Sequence, residues 1–193
     1  MTEADYFQAL QDLLDASICQ AQSVVGGHYQ ILESNQAPFV LNINGLSSSH
    51  KAIRLEKLRG SDWTCFKMPH KYAHKRCDSI LVSWKKPNNG VGAGPVFLLV
   101  ELKSNNPTTA RKQLGASLAF CHFLHRMVGV GTSTLPVARF AAVTVMNMPF
   151  SLKNVSIPAI QNWVPPPLHT DCLHMRYNRH YGSLPVAAIV ATI

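Results

Sequence analysis

Val96-Phe97-Leu98-Leu99-Val100-Glu101-Leu102-Lys103 is the stretch from which the rest of the chain is read. Its uninterrupted apolar run, set between Gly94-Pro95 and Ser104-Asn105-Asn106-Pro107, predicts a strand buried on both faces. Such a strand should not end in two opposite charges. Glu101 and Lys103 stand two apart, so the alternation of a strand puts both side chains on one face. A carboxylate buried there is costly unless it is paired or holds a metal. Glu-x-Lys taken alone needs no more than an ion pair where the chain emerges into water.

Asp78 changes that weighing. It opens a second strand-like run, Asp78-Ser79-Ile80-Leu81-Val82-Ser83-Trp84, and residues 85–94 between the two runs are rich in Lys, Pro, Asn and Gly, as a hairpin connection is. In an antiparallel pair the start of the first strand meets the end of the second. Two carboxylates and an ammonium would then converge at one end of a sheet.

Downstream, Pro107-Thr108-Thr109 suits a helix N-terminus, and helix is expected to about Val128, ahead of Gly129 and Gly131. Leu114, Leu118, Cys121, Leu124 and Val128 form its buried stripe, while Gly115, Ala116 and Ala119 let it lie close on a sheet. Residues 137–148 read as a further strand. Strand, helix and strand make a crossover unit, whose right-handed form sets the two strands parallel. The fold class expected is α/β: a central mixed sheet, an antiparallel hairpin plus a parallel crossover strand, flanked by helices.

This pattern resembles the PD-(D/E)xK, or restriction-endonuclease-like, nuclease superfamily, whose signature is an Asp at one strand, acid-x-Lys on the next and then a helix. Here it reads Cys77-Asp78, Glu101-Leu102-Lys103 and Thr108-Thr109-Ala110-Arg111-Lys112-Gln113-Leu114-Gly115-Ala116-Ser117. Gln113 is similar to the extra glutamine of the RecB-type branch. The resemblance covers roughly the middle third of the chain. Cys77 stands where the motif has Pro, and Ser117 where the RecB-type branch usually has an aromatic. The resemblance implies a restriction-endonuclease-like core and metal-dependent hydrolysis of phosphodiester bonds in DNA or RNA. It implies that Asp78, Glu101 and the backbone carbonyl of Leu102 hold one or two Mg2+ or Mn2+ ions, that Lys103 orients or activates the attacking water, and that Gln113 joins the site. A catalytically inactive module on the same fold, binding nucleic acid or a protein partner, is the alternative.

The composition agrees with a nucleic-acid partner. Lys and Arg number 18 against 10 Asp and Glu, a net charge of +8, which favours a polyanion, with nucleic acid well ahead of an anionic membrane surface. The basic run Lys67-Met68-Pro69-His70-Lys71-Tyr72-Ala73-His74-Lys75-Arg76 leads straight into Asp78. Lys67, Lys71, Lys75 and Arg76, with Tyr72 interleaved for stacking, fit contact with a phosphate backbone, and Arg111 and Lys112 add positive charge beside the site. The same segment carries Cys65, His70, His74 and Cys77, four ligands that could close a tetrahedral zinc site. Their spacing matches no familiar finger, so structural zinc is disfavoured against Mg2+ or Mn2+. The groupings Cys121-His122-His125 and Cys172-x-His174 are weaker zinc candidates still, and the former, lying along a helix, reads as core and rim.

A chain of 193 residues, 47% apolar and 15% charged, is globular rather than disordered. It is read as a single domain over 1–193, with 149–193 an irregular C-terminal extension packed on the core, punctuated by Pro149, Pro158 and Pro165-Pro166-Pro167. Its apolar runs fall short of the roughly 20 residues that a membrane-spanning helix needs, so no membrane partner is expected. An odd count of five cysteines and the polar start Met1-Thr2-Glu3-Ala4-Asp5 predict an intracellular chain, cytoplasmic or nuclear, with reduced thiols. Many folds of the superfamily act as dimers, which leaves a homodimer or a larger protein complex open.

The remaining segments are read more coarsely. Phe7, Leu10, Leu13, Leu14 and Ile18 predict an amphipathic helix over 4–25, stopped by Gly26-Gly27. Tyr29 and Ile31, then Phe39, Val40, Leu41 and Ile43, predict two short strands or an interrupted hairpin; 51–58 is a short helix or strand, and 186–193 a last strand. Glu33 and Glu56 are candidates for a further acidic site residue.

Overall fold

The computed structural model describes residues 1–14, 19–20, 29–33, 39–44, 51–53, 76–86, 92–103, 109–146, 160–161, 172–178, 184–186, 189–190 and 193. Along the chain these form helix α1 (Glu3–Leu13), strands β1 (Cys19–Gln20), β2 (Tyr29–Glu33), β3 (Phe39–Asn44), β4 (Lys51–Ile53), β5 (Ser79–Lys85) and β6 (Gly94–Lys103), helix α2 (Ala110–Val128), and strands β7 (Arg139–Met146), β8 (Ile160–Gln161), β9 (Cys172–Asn178) and β10 (Leu184–Pro185). Seven strands make a mixed sheet in the order β1-β4-β5-β6-β7-β9-β8, and β10-β3-β2 make a second sheet.

β6 lies in the middle of the larger sheet because it is the strand that can be buried on both faces. Phe97 and Leu99 face α1 and α2, where they meet Leu114, Leu118, Cys121, Leu124 and Val128. Leu98, Val100 and Leu102 face the other way, against Val143, Val145, Met175, Leu184, Val186 and Ile189. Each such side chain contributes about 1.5–3 kcal/mol when fully buried. β5 runs antiparallel to β6 from Ser79↔Val100 to Lys85↔Gly94, and β7 runs parallel to it with Glu101 beside Thr144. The expected mixed sheet of hairpin and parallel crossover strand, with α2 carrying the crossover, is therefore present. The hairpin β2–β3 is present too.

Three expectations are corrected. The first helix stops at Leu13, and Leu14 is already extended, because Cys19 and Gln20 are taken up as a strand against Ile53 and Ala52 of β4. Strand pairing overrides the helical spacing of the downstream residues there. Within the stretch read as irregular, β9 joins the sheet parallel to β7, with Cys172 in the helix-side core and Met175 and Tyr177 in the opposite one. Among the described residues of the C-terminus, Leu184–Pro185 is strand and Val186, Ile189 and Val190 are helical. Their i, i+3, i+4 spacing puts these apolar side chains on one helical face, and Val186 and Ile189 are buried against the sheet.

α1 begins with a reciprocal capping box: Thr2 Oγ1 accepts from the Asp5 N–H, and the Asp5 carboxylate accepts from the Thr2 N–H. Tyr6 then docks it on α2, its hydroxyl lying 2.9 Å from His125 Nδ1. Among the described residues no helix is long and apolar enough to cross a membrane. Cys77, Cys121 and Cys172 are buried thiols, not disulfides.

Candidate active site

The β5–β6 ladder ends at Ser79↔Val100, while β6 continues to Lys103. Beyond that pair the Leu102 N–H has no β5 backbone opposite it. Asp78, immediately before β5, fills the place: its Oδ2 accepts from the Leu102 N–H at 2.6 Å. A hydrogen bond to an ionised acceptor is about twice as strong as a neutral one. The Asp78 carboxylate is thereby fixed to the backbone between Glu101 and Lys103. Because a strand residue presents its N–H and C=O to the same neighbour, the Leu102 carbonyl lies on that side of the strand as well.

Glu101 and Lys103 share the face toward α2. Glu101 is 0% exposed, and Lys103 Nζ stands 2.5 Å from its Oε1. The ammonium also donates to Gln113 Oε1 at 2.8 Å, and Gln113 Nε2 donates to the backbone carbonyl of Arg76 at 3.0 Å. An ammonium can only donate, which fixes the orientation of the amide. Gln113 therefore ties the lysine of β6 to the segment that leads into Asp78.

One turn further along α2, Ser117 Oγ accepts from the Cys77 N–H at 2.8 Å. Cys77 is buried, and burial pushes its thiol well above the ordinary value. The Ser117 bond works against that shift, and the negative Glu101 and Asp78 carboxylates add to it.

Asp78, Glu101, Leu102, Lys103 and Gln113 are brought together. Arg111 and Lys112 are exposed in the first turns of α2, and Arg76 is half-buried beside Cys77. Lys67, Lys71, Tyr72 and Lys75, the zinc candidates Cys65, His70 and His74, and Glu56 lie outside the described residues. Glu33 is on β2, in the other sheet. Sequence reasoning passed over Ser117 as an acceptor and over Thr144, and weighed His174 only within a weak Cys-His grouping, not as the hydrogen-bond partner of Thr144 on the same face of the sheet.

Among the described residues no group of three or more His, Cys, Asp or Glu side chains is arranged to hold a metal ion. The donor set at Asp78 and Glu101 nevertheless suits Mg2+ or Mn2+, hard cations that are commonly held by one or two carboxylates with water and substrate oxygens completing the shell. Compared with protein-family models, curated proteins and solved structures, the chain matches none.

Proposed function

We propose that this protein is a nuclease that hydrolyses phosphodiester bonds of DNA or RNA with Mg2+ or Mn2+, built on a restriction-endonuclease-like core of the PD-(D/E)xK type. The observation that carries the reading is the bond from the Leu102 N–H to Asp78. It joins two distant parts of the chain so that two carboxylates and one ammonium meet at the end of a sheet. The order of helix, antiparallel strands, crossover helix and parallel strand supports the same reading.

Asp78 and Glu101, with the Leu102 carbonyl, would hold the cation. Once bound, it supplies Lewis-acid polarisation of a phosphoryl oxygen. Lys103 donates hydrogen bonds to the attacking water and offsets the charge that grows on the phosphate. Gln113 keeps the lysine at the site, anchored in turn on the Arg76 carbonyl. Arg111 and Lys112 meet the polyanion from the start of α2.

The net charge of +8 favours a second reading, a nucleic-acid binder without turnover. Labelled single- and double-stranded DNA and RNA, incubated with Mg2+, Mn2+ or EDTA, separate the two. Cleavage that disappears in EDTA and in Glu101→Ala and Lys103→Ala is the result expected. Salt-sensitive binding with no cleavage under any of these conditions would leave only the binder.

A further inference from the structure

Residues 76–78 lie ahead of the register that pairs β5 with β6 from Ser79↔Val100. α2 reaches them there. Gln113 Nε2 donates to the Arg76 carbonyl at 3.0 Å, and Ser117 Oγ accepts from the Cys77 N–H at 2.8 Å. That carbonyl and that N–H belong to one planar peptide unit and point in opposite directions. Positions 113 and 117 stand one above the other on a single face of α2, about one 5.4 Å turn apart. One turn of helix thus holds one peptide plane by both ends. A bond through Gln113 alone leaves the plane free to turn about that contact, and the bond to Ser117 removes this freedom. Ser117 is 1% exposed. Alanine would fit the same buried place and favours helix more strongly, so packing alone does not ask for a hydroxyl there.

We propose that Ser117 is a positioning residue for the Asp78 carboxylate: together with Gln113 it fixes the Arg76–Cys77 peptide, and through it where Asp78 stands relative to Glu101 and Lys103. Between that plane and Asp78 lie only the soft backbone angles of Cys77 and Asp78. Cys77 is tied down further, its thiol donating to the Ser79 carbonyl at 3.3 Å. Asp78 Oδ2 then meets the Leu102 N–H at 2.6 Å. Gln113 Oε1 accepts from Lys103 Nζ at 2.8 Å, so the face of α2 that orients the peptide also holds the ammonium. Without the Ser117 hydroxyl the peptide can turn and Asp78 can leave the Leu102 N–H. Groups behind a metal ligand commonly set its affinity for the ion. The consequence for cation binding rests on the nuclease reading, whereas the placement of Asp78 by Ser117 does not.

Two measurements on the full-length protein test this. In metal-free wild type, the Cys77 and Leu102 amides are expected to open together, with hydrogen-exchange protection agreeing within about tenfold. A Cys77 amide that exchanges freely while Leu102 stays protected overturns the proposal, because Asp78 then keeps its place without Ser117. Ser117→Ala is compared with Val128→Ala, which trims a buried side chain about three turns further along the same helix. Ser117→Ala is expected to speed Leu102 exchange about tenfold beyond Val128→Ala and to weaken Mn2+ binding about ten- to a hundredfold, with Val128→Ala within about threefold of wild type. Where wild type binds Mn2+, a folded Ser117→Ala that matches Val128→Ala in either readout overturns the positioning role. Should Leu102 exchange respond as expected while wild type binds no Mn2+, the nuclease reading fails and the placement of Asp78 by Ser117 stands.

Discussion

Glu101 and Lys103 form one ion pair, but its two members are not equally dispensable. The Glu101 side chain is 1% exposed and that of Lys103 16%, so the lysine has a way back to water and the carboxylate has none. Lys103→Met leaves the carboxylate buried without its ammonium, for which the expected loss is about 3–5 kcal/mol. Glu101→Gln should cost clearly less, and adding it to Lys103→Met should recover much of the loss. Urea unfolding of the two single variants and the double variant checks this; equal costs that simply add would show that the pair is not coupled. Ser117→Ala is a different kind of injury, because it strands the buried Cys77 N–H, and it should cost about 1–3 kcal/mol. The convergence of Asp78, Glu101 and Lys103 was legible in the sequence because charge at the end of a buried strand conflicts with burial and so asks for a partner, whereas Gln113 was singled out only through the family resemblance. Ser117 and Thr144 raise no such conflict. Serine is unremarkable in a helix and threonine is at home in a strand, and their partners are 40 and 30 residues away along the chain.

Between elements, the docking of α1 on α2 carries a titration. His125 meets the Tyr6 hydroxyl, and burial holds its imidazole below the ordinary value of 6.5, with the neighbouring His122 and Arg126 acting in the same direction. The folded protein therefore takes up this proton at lower pH than the unfolded chain does. Between those two values the unfolded state binds more protons, so stability falls as pH drops below 6.5 and the loss is complete once His125 protonates in the folded state. Melting temperatures followed from neutral to mildly acid pH should decline less steeply in His125→Gln than in wild type; identical profiles would remove His125 as the cause. The elements themselves were legible to the extent that one face of each was apolar: β5, β6, α2 and β7 fall close to where periodicity puts them. α1 was read too long, since helical spacing in 14–18 says nothing of the competing pairing between β1 and β4. β9 was hidden because Cys172, His174 and Arg176 alternate with Leu173, Met175 and Tyr177, a pattern without the apolar run that marks β6.

At the scale of the molecule, the proposed function ties the charge of the chain to the carboxylate site. On the nuclease reading, a chain with a net +8 attracts a polyanion, and phosphates near Arg111 and Lys112 at the start of α2 would lie beside Asp78, Glu101 and Lys103. Binding should therefore weaken linearly in log K against log salt as counterions return to the nucleic acid, with about 0.7 to 0.9 of slope for each phosphate neutralised. Arg111→Ala and Lys112→Ala are each expected to lower that slope by about one, weakening all sequences alike, because contacts to phosphate carry no base information. Glu101→Gln in EDTA keeps the polymer uncut during the titration and removes a negative charge from the site, so its affinity should equal or exceed that of wild type. Fluorescence anisotropy over a salt series measures all three. Slopes unchanged by both α2 substitutions would move the polyanion away from this end of the sheet, and with it the argument that the charge of the chain serves the carboxylate site.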